Sequence, residues 1–257
     1  YHVLVFMAQQ TAGNIDDVLE EILDYQVDGI VLASVAMSSV LAERCDAAGI
    51  PVVLFNRAQQ EDRFSTVTSD NFSGGKALAE FLVAGGHRRI GYIAGWEGAS
   101  TQRDREAGFC AGLAEHGHKL FAREVGDFRT ETAAKAARAM FSASEFPDAV
   151  FVANDHMAFA VIEELRGTLG LRVPEDVSVV GYDDVQLSRW SSFDLTTVRQ
   201  PSGEMVAETV AALMAQIEDG ETEPRRVKID GPLVVRGSAR RPADWKANWK
   251  ECDDERL

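Results

Sequence analysis

Two adjacent carboxylates, Asp183 and Asp184, follow the apolar run Val177, Val179 and Val180 and the breaking Gly181. An open α/β sheet places its ligand-contacting loops at that end of a strand. The pattern occurs once more upstream. Residues 148–153 (DAVFVA) read as a buried strand that delivers Asn154 and Asp155 ahead of a helix starting near Met157. Carboxylates accept hydrogen bonds, amides donate and accept, and guanidinium groups fork two parallel bonds, so such groups at one sheet edge suit recognition of a polar small molecule. They do not suit bond cleavage. Adjacent side chains in an extended segment diverge and do not flank one bond as paired glycosidase carboxylates do. No Ser-His-Asp, Cys-His or metal-spaced His pattern stands out, so no catalysis, cofactor or metal is expected.

These residues need a scaffold of alternating strands and helices, and the chain supplies one. Strands are expected at residues 2–8, 29–34, 51–55, 89–94, 148–153 and 177–181, with a short extended piece at 66–69. Helices are expected at 15–25 (capped by Asn14), 38–48, 73–84, 103–116, 130–142 and 203–218. Asp70 and Asn71 are placed to cap the helix near Ser73. Gly85, Gly86 and His87 stop that helix, which puts His87 in a surface turn. Gly74-Gly75 lacks the Lys-Ser/Thr pair of a phosphate loop.

The segments VFVANDHMAFAVIEELR (150–166), RVPEDVSVVGYDD (172–184) and LTTVRQP (195–201) resemble the effector-binding core of the lac repressor (galactose repressor) family of bacterial transcription regulators. The resemblance extends in order through IPVVLFNR (50–57), SDNFSGGKALAEFLVAGGHRRIGYIAG (69–95), RDREAGF (103–109) and LVVRGSARR (233–241), and so covers residues 1–240. It implies two doubly wound parallel-sheet subdomains, like type I periplasmic binding proteins, with a ligand cleft between them. The first would hold residues 1–69 and 201–230, the second 70–200 and 231–241. The tail 242–257 lies outside the resemblance, and its Trp245 and Trp249 share a helical face that could pack on the body. Family members carry a further strand and helix before the position of His2, which this sequence lacks, so an N-terminal part of the first subdomain is expected to be missing.

Asn56, Arg103, Asn154, Asp183 and Gln200 match effector-contact positions of the family. Phe128, in the loop after Gly126-Asp127, would offer a flat apolar face to a sugar ring, and Trp190 is a second candidate. Plainer roles stand beside these. Asn154 could cap its helix, and Asp155 suits that role alone better than Asn154 does. Asp184 could hold a backbone turn. Arg103 and Arg105 both begin a helix and could pair with Asp104 or Glu106; family position favours Arg103. Phe128 and Trp190 could both be core, Trp190 equally so.

The implied function is effector sensing and dimerisation in a DNA-binding regulator, with a sugar or sugar derivative altering operator affinity. The alternative is a sugar-binding protein of an uptake system, which shares the architecture. Composition narrows the partners. The net charge of −15 would repel a phosphate backbone. Operator DNA is therefore expected to be met through a helix-turn-helix headpiece upstream, which is not present before Tyr1. With 46% hydrophobic residues, no run near the roughly 20 needed to span a bilayer and three scattered cysteines, the chain reads as globular and cytoplasmic, with reduced thiols and no membrane partner.

Overall fold

A computed structural model describes residues 1–6, 22, 25–34, 39–58, 63–243 and 245. In chain order the elements are β1 (Ile30–Ala33), α1 (Ser39–Ala48), β2 (Val52–Phe55), β3 (Ser65–Ser69), α2 (Asn71–Ala84), β4 (Ile90–Ala94), α3 (Ser100–Glu115), β5 (Ala122–Val125), α4 (Thr130–Phe141), β6 (Ala149–Val152), α5 (Asp155–Glu163), β7 (Ser178–Asp183), β8 (Thr196–Arg199), α6 (Ser202–Glu218), β9 (Arg226–Ile229) and β10 (Leu233–Val234). The chain divides into two compact units. Unit 1 is Tyr1–Ser69 with Pro201–Ile229, and unit 2 is Asp70–Gln200 with Asp230–Leu257, so the backbone passes between them three times.

Unit 1 holds a parallel sheet in the order β1-β2-β3-β9. Its β2 shows why both faces are covered. Val52 and Leu54 point to one side, into a cluster with Ile30, Leu32, Ala42, Cys45 and Phe64, while Val53 points to the other, with Val67, Met205 and Ala212. Period-two alternation of apolar groups on both faces leaves no wet side, as a parallel sheet between helices requires. Residues 1–6 form no strand and are mostly exposed, contrary to the expected strand at 2–8. A strand forms only where a neighbour takes its N–H and C=O groups, and these residues have none beside them in the sheet. Residues 7–8, nearly all of the expected helix at 15–25, and Trp249 lie outside the described residues.

Unit 2 holds a six-stranded sheet in the order β10-β8-β7-β6-β4-β5, parallel except for β10. Helices α2 and α3 pack on each other and reach β8 and β4, while α4 and α5 pack together over β4 to β7. The core is continuous, with Tyr92, Phe109 and Phe151 meeting at ring separations of 5.0 to 5.9 Å. Trp245 packs edge-on against Phe81 at 5.1 Å, so the start of the tail rests on this body. Glycines decide how closely α2 and α3 approach. A Cβ on Gly108 would stand 1.9 Å from the Phe72 carbonyl oxygen, and one on Gly75 would stand 2.2 Å from that of Arg105. Gly75 is therefore a packing residue. No helix among the described residues is long and apolar enough to cross a membrane.

Candidate functional site

The chain leaves β4 toward β5 on one side and β6 toward β7 on the other, although β4 and β6 are neighbours. Connections that part in this way open a crevice at the C-terminal strand ends. Arg105, 3% exposed, lies at the C-terminal ends of β6 and β7. Its Nε donates to Asn71 Oδ1 at 2.8 Å, Nη1 to the Ala153 carbonyl at 2.6 Å and Nη2 to Asp183 Oδ1 at 3.1 Å, with the guanidinium 3.7 Å above the Tyr182 ring. Gln200 Nε2 donates to the same Asp183 oxygen at 2.5 Å, and its backbone N–H donates to the Asp183 carbonyl. The structure thus gathers Asp183, Gln200 and Arg105 at the ends of β7, β8 and β6.

Arg103 is not brought to this cluster. It is exposed, and its Nη1 donates to the carbonyls of Glu97 and Gly98 at 3.3 and 2.9 Å, holding the loop before α3. The sequence did carry a signal for Arg105. Arg105, Gly108 and Gly112 recur at helical spacing, so Arg105 shares the face whose small residues let α3 press on α2. Asn154 caps α5, its Oδ1 accepting from Met157 N at 3.0 Å. Asp155, read from sequence as the capping residue, is instead a buried hub that accepts from Val185 N at 3.0 Å, Ser188 Oγ at 2.7 Å and Thr197 Oγ1 at 2.6 Å. Asp184 also exceeds the turn role read from the sequence: with its side chain buried, it accepts from Arg199 Nε and Arg236 Nη2, both at 2.6 Å.

Phe128 stands at the crevice beyond β5, half-buried with φ +55°, its ring laid over Gly95 at the end of β4. A Cβ on Gly95 would sit 2.2 Å from that ring, so only glycine lets the ring lie there. Trp190 is 58% exposed, which removes the core reading. Among the described residues its side chain makes no hydrogen bond or ring contact with the cluster. In unit 1, Asn56 ends β2 with φ +57°, and its Nδ2 donates to Ser34 Oγ at 3.3 Å. Its buried Oδ1 accepts no hydrogen bond among the described residues. His87, expected in a surface turn, is buried with Nδ1 3.2 Å from Asp148 Oδ1, and its burial lowers the pKa of the ring. No group of three His, Cys, Asp or Glu among the described residues is placed to hold a metal.

Burial pushes the Asp155 carboxyl up to about 7, the Asp183 charge adds to this, and the three hydrogen-bond donors oppose it. The folded state thus holds the Asp155 proton more tightly than the unfolded chain does. Its contribution to stability is complete below about pH 4 and is lost as pH rises through about 7, by on the order of 1 kcal/mol per pH unit in between. Melting curves of wild type and Asp155→Asn across pH 4 to 8 should therefore diverge, the wild type falling more steeply. Parallel curves would show that Asp155 stays ionised throughout.

Two helix-covered, mainly parallel sheets joined by three chain crossings, with polar groups collected at the strand ends of the second, define a two-unit α/β protein. A family model described as "Periplasmic binding protein-like domain" matches residues 79–239. The chain is 36% identical over 216 residues to an HTH-type transcriptional regulator, CelR, of Thermobifida fusca, covering 82% of this chain and 63% of the relative. It is 30% identical over 236 residues to an HTH-type transcriptional repressor, PurR, of Photobacterium profundum, covering 90% and 70%. Among solved structures, a CelR–cellobiose complex matches with a TM-score of 0.81 at 33% identity, covering 87% of this chain and 69% of that one. A LacI transcriptional regulator from a Rhodococcus species matches with a TM-score of 0.80 at 26% identity, covering 88% and 83%. The chain belongs to the lac repressor (LacI) family of transcription regulators, and these residues correspond to the effector-binding region.

Proposed function

We propose that this chain is the effector-sensing and dimerising part of a LacI-type regulator, and that its effector is a carbohydrate. The observation that carries the reading is the Asp183, Arg105 and Gln200 cluster, with the Phe128 ring lying over Gly95 at the end of β4 in the same sheet. A carboxylate and a guanidinium recognise neighbouring hydroxyls, and an aromatic face takes the C–H side of a sugar ring. The CelR relative whose structure contains cellobiose supports the same ligand class. Asn154 adds an amide at the same edge. Arg103 and Trp190 contribute from the periphery of the site or not at all.

A ligand at the unit 2 cluster favours one arrangement of the protein only by its difference in affinity between arrangements. Typical couplings of this kind are about 1 to 3 kcal/mol. In a cytoplasmic homodimer that difference would reach operator DNA through a helix-turn-helix outside these residues, since a chain with a net charge of −15 is repelled by phosphates. Regulators at 30% identity or more favour this reading over a sugar-uptake protein or an enzyme.

Thermal unfolding against cellobiose, other disaccharides, monosaccharides, sugar acids, sugar phosphates and nucleobases tests the proposal. Ligand at 100 times its Kd adds about 2.7 kcal/mol, a rise of roughly 5 to 10 °C for a chain of this size. The rise should come from a carbohydrate and vanish in Asp183→Ala, whose dimerisation is expected to be unchanged. A rise from a nucleobase alone, or one that survives in Asp183→Ala, overturns the assignment.

A further inference from the structure

Asp184 is a buried carboxylate that the ligand reading does not use. Its side chain is 0% exposed and holds three arginines, with Oδ2 at 2.6 Å from Arg199 Nε and 4.0 Å from Arg189 Nη2, and Oδ1 at 2.6 Å from Arg236 Nη2. Arg199 ends β8, immediately before the crossing at Gln200–Pro201, and Arg236 follows β10, the first strand after the crossing at Ile229–Asp230. The Arg199 backbone N–H donates to the Pro232 carbonyl at 2.9 Å, closing the link between these two crossings. The neighbouring residue, Asp183, is held by Arg105 and Gln200, and Arg105 in turn grips Asn71 beside the first crossing, at Ser69–Asp70.

Asp183 and Asp184 have φ of +120° and +55°, a left-handed pair that non-glycine residues adopt only when their surroundings hold them. Here Arg105 on Asp183 and the arginines on Asp184 do the holding, and the same arginines lie beside the crossings. Moving Asp183 turns the peptide it shares with Asp184, and Arg199 and Arg236, the two arginines hydrogen-bonded to Asp184, follow or lose their bonds.

We propose that Asp184 is the positioning residue through which events at Asp183 reach the second and third crossings, an inference that rests on the ligand reading above for what acts at Asp183. The test needs no ligand. Hydrogen exchange is measured at the amides of Arg199 and Arg236 in four versions of the 257-residue chain: wild type, Asp183→Asn, Asp184→Asn and the double variant. Asp183→Asn should speed exchange at both amides by about tenfold in the wild-type background and by less than about twofold in the Asp184→Asn background. Equal acceleration in both backgrounds, or none in the wild type, overturns the proposal. Arg236→Gln severs the same link at its far end and replaces Asp184→Asn if that variant does not fold. A second arm uses cellobiose as the probe. It should slow exchange at the two amides in wild type, and in Asp184→Asn it should bind within about threefold in Kd without slowing them. If cellobiose leaves the wild type unchanged, it is the carbohydrate reading that loses support, and the ligand-free cycle still decides the coupling.

Discussion

Replacing Arg105 with Ala is expected to lower unfolding stability by about 3 to 5 kcal/mol and to abolish ligand binding. Arg105 is buried, and its guanidinium serves three acceptors at once, one of them the mostly buried carboxylate of Asp183. Its removal leaves the Asn71 and Ala153 oxygens without this donor and the Asp183 charge with only Gln200 beside it, so the cost is that of stranded polar groups rather than of one contact. Arg105→Lys should recover little, because an ammonium cannot fork to three acceptors in a plane or stack on Tyr182 in the same way. Arg103→Ala is the matched control. Its exposed side chain holds two loop carbonyls, so the loss should stay near or below about 1 kcal/mol. Urea midpoints at unchanged slope, with ligand titration of each variant, read both effects. A variant pair in which Arg103→Ala loses binding and Arg105→Ala keeps it would reverse the assignment.

The second large effect is expected at Gly108. A Cβ there would lie 1.9 Å from the Phe72 carbonyl oxygen, a backbone atom that cannot turn aside as a side chain can. Gly108→Ala must therefore push α3 away from α2, and overpacking of this kind costs about 3 kcal/mol or more. Because Arg105 sits on the same helix, the shift should also weaken ligand binding. Gly167→Ala serves as the comparison, since a Cβ there meets nothing within 4 Å, and its stability should change by less than about 1 kcal/mol. Similar melting temperatures for both variants would show that the two helices can part without loss.

Much of this molecule is legible in local pattern. Runs such as VVLF at 52–55 and AVFV at 149–152 mark buried parallel strands because both faces must be apolar, and their alternation with amphipathic segments specifies a covered parallel sheet. The end of a buried strand is also where backbone direction places a ligand loop, which is why Asp183 and Asn154 could be singled out without coordinates, whereas Asn56 came with the family resemblance. Ordered motifs carried the family. Helix starts were less legible: α3 begins at Ser100 rather than Arg103 and α2 at Asn71 rather than Ser73, because a first turn needs no apolar residue to announce it.

What the sequence by itself determined is therefore the class of fold and the strand ends at which chemistry is displayed, since both follow from periodicity within a few residues of one another. Tertiary structure alone decided which side chains meet there. It turned Arg105 inward and Arg103 outward, a matter of the rotational phase at which α3 packs on α2. It made Asp155 a buried hub and Asn154 the cap, because the partners of Asp155, Ser188 and Thr197, lie 33 and 42 residues away. It bound Asp184 to Arg236 across 52 residues, buried His87 against Asp148 across 61, and left Trp190 exposed. Such contacts depend on how separate elements close on one another, and a local pattern holds no record of closure.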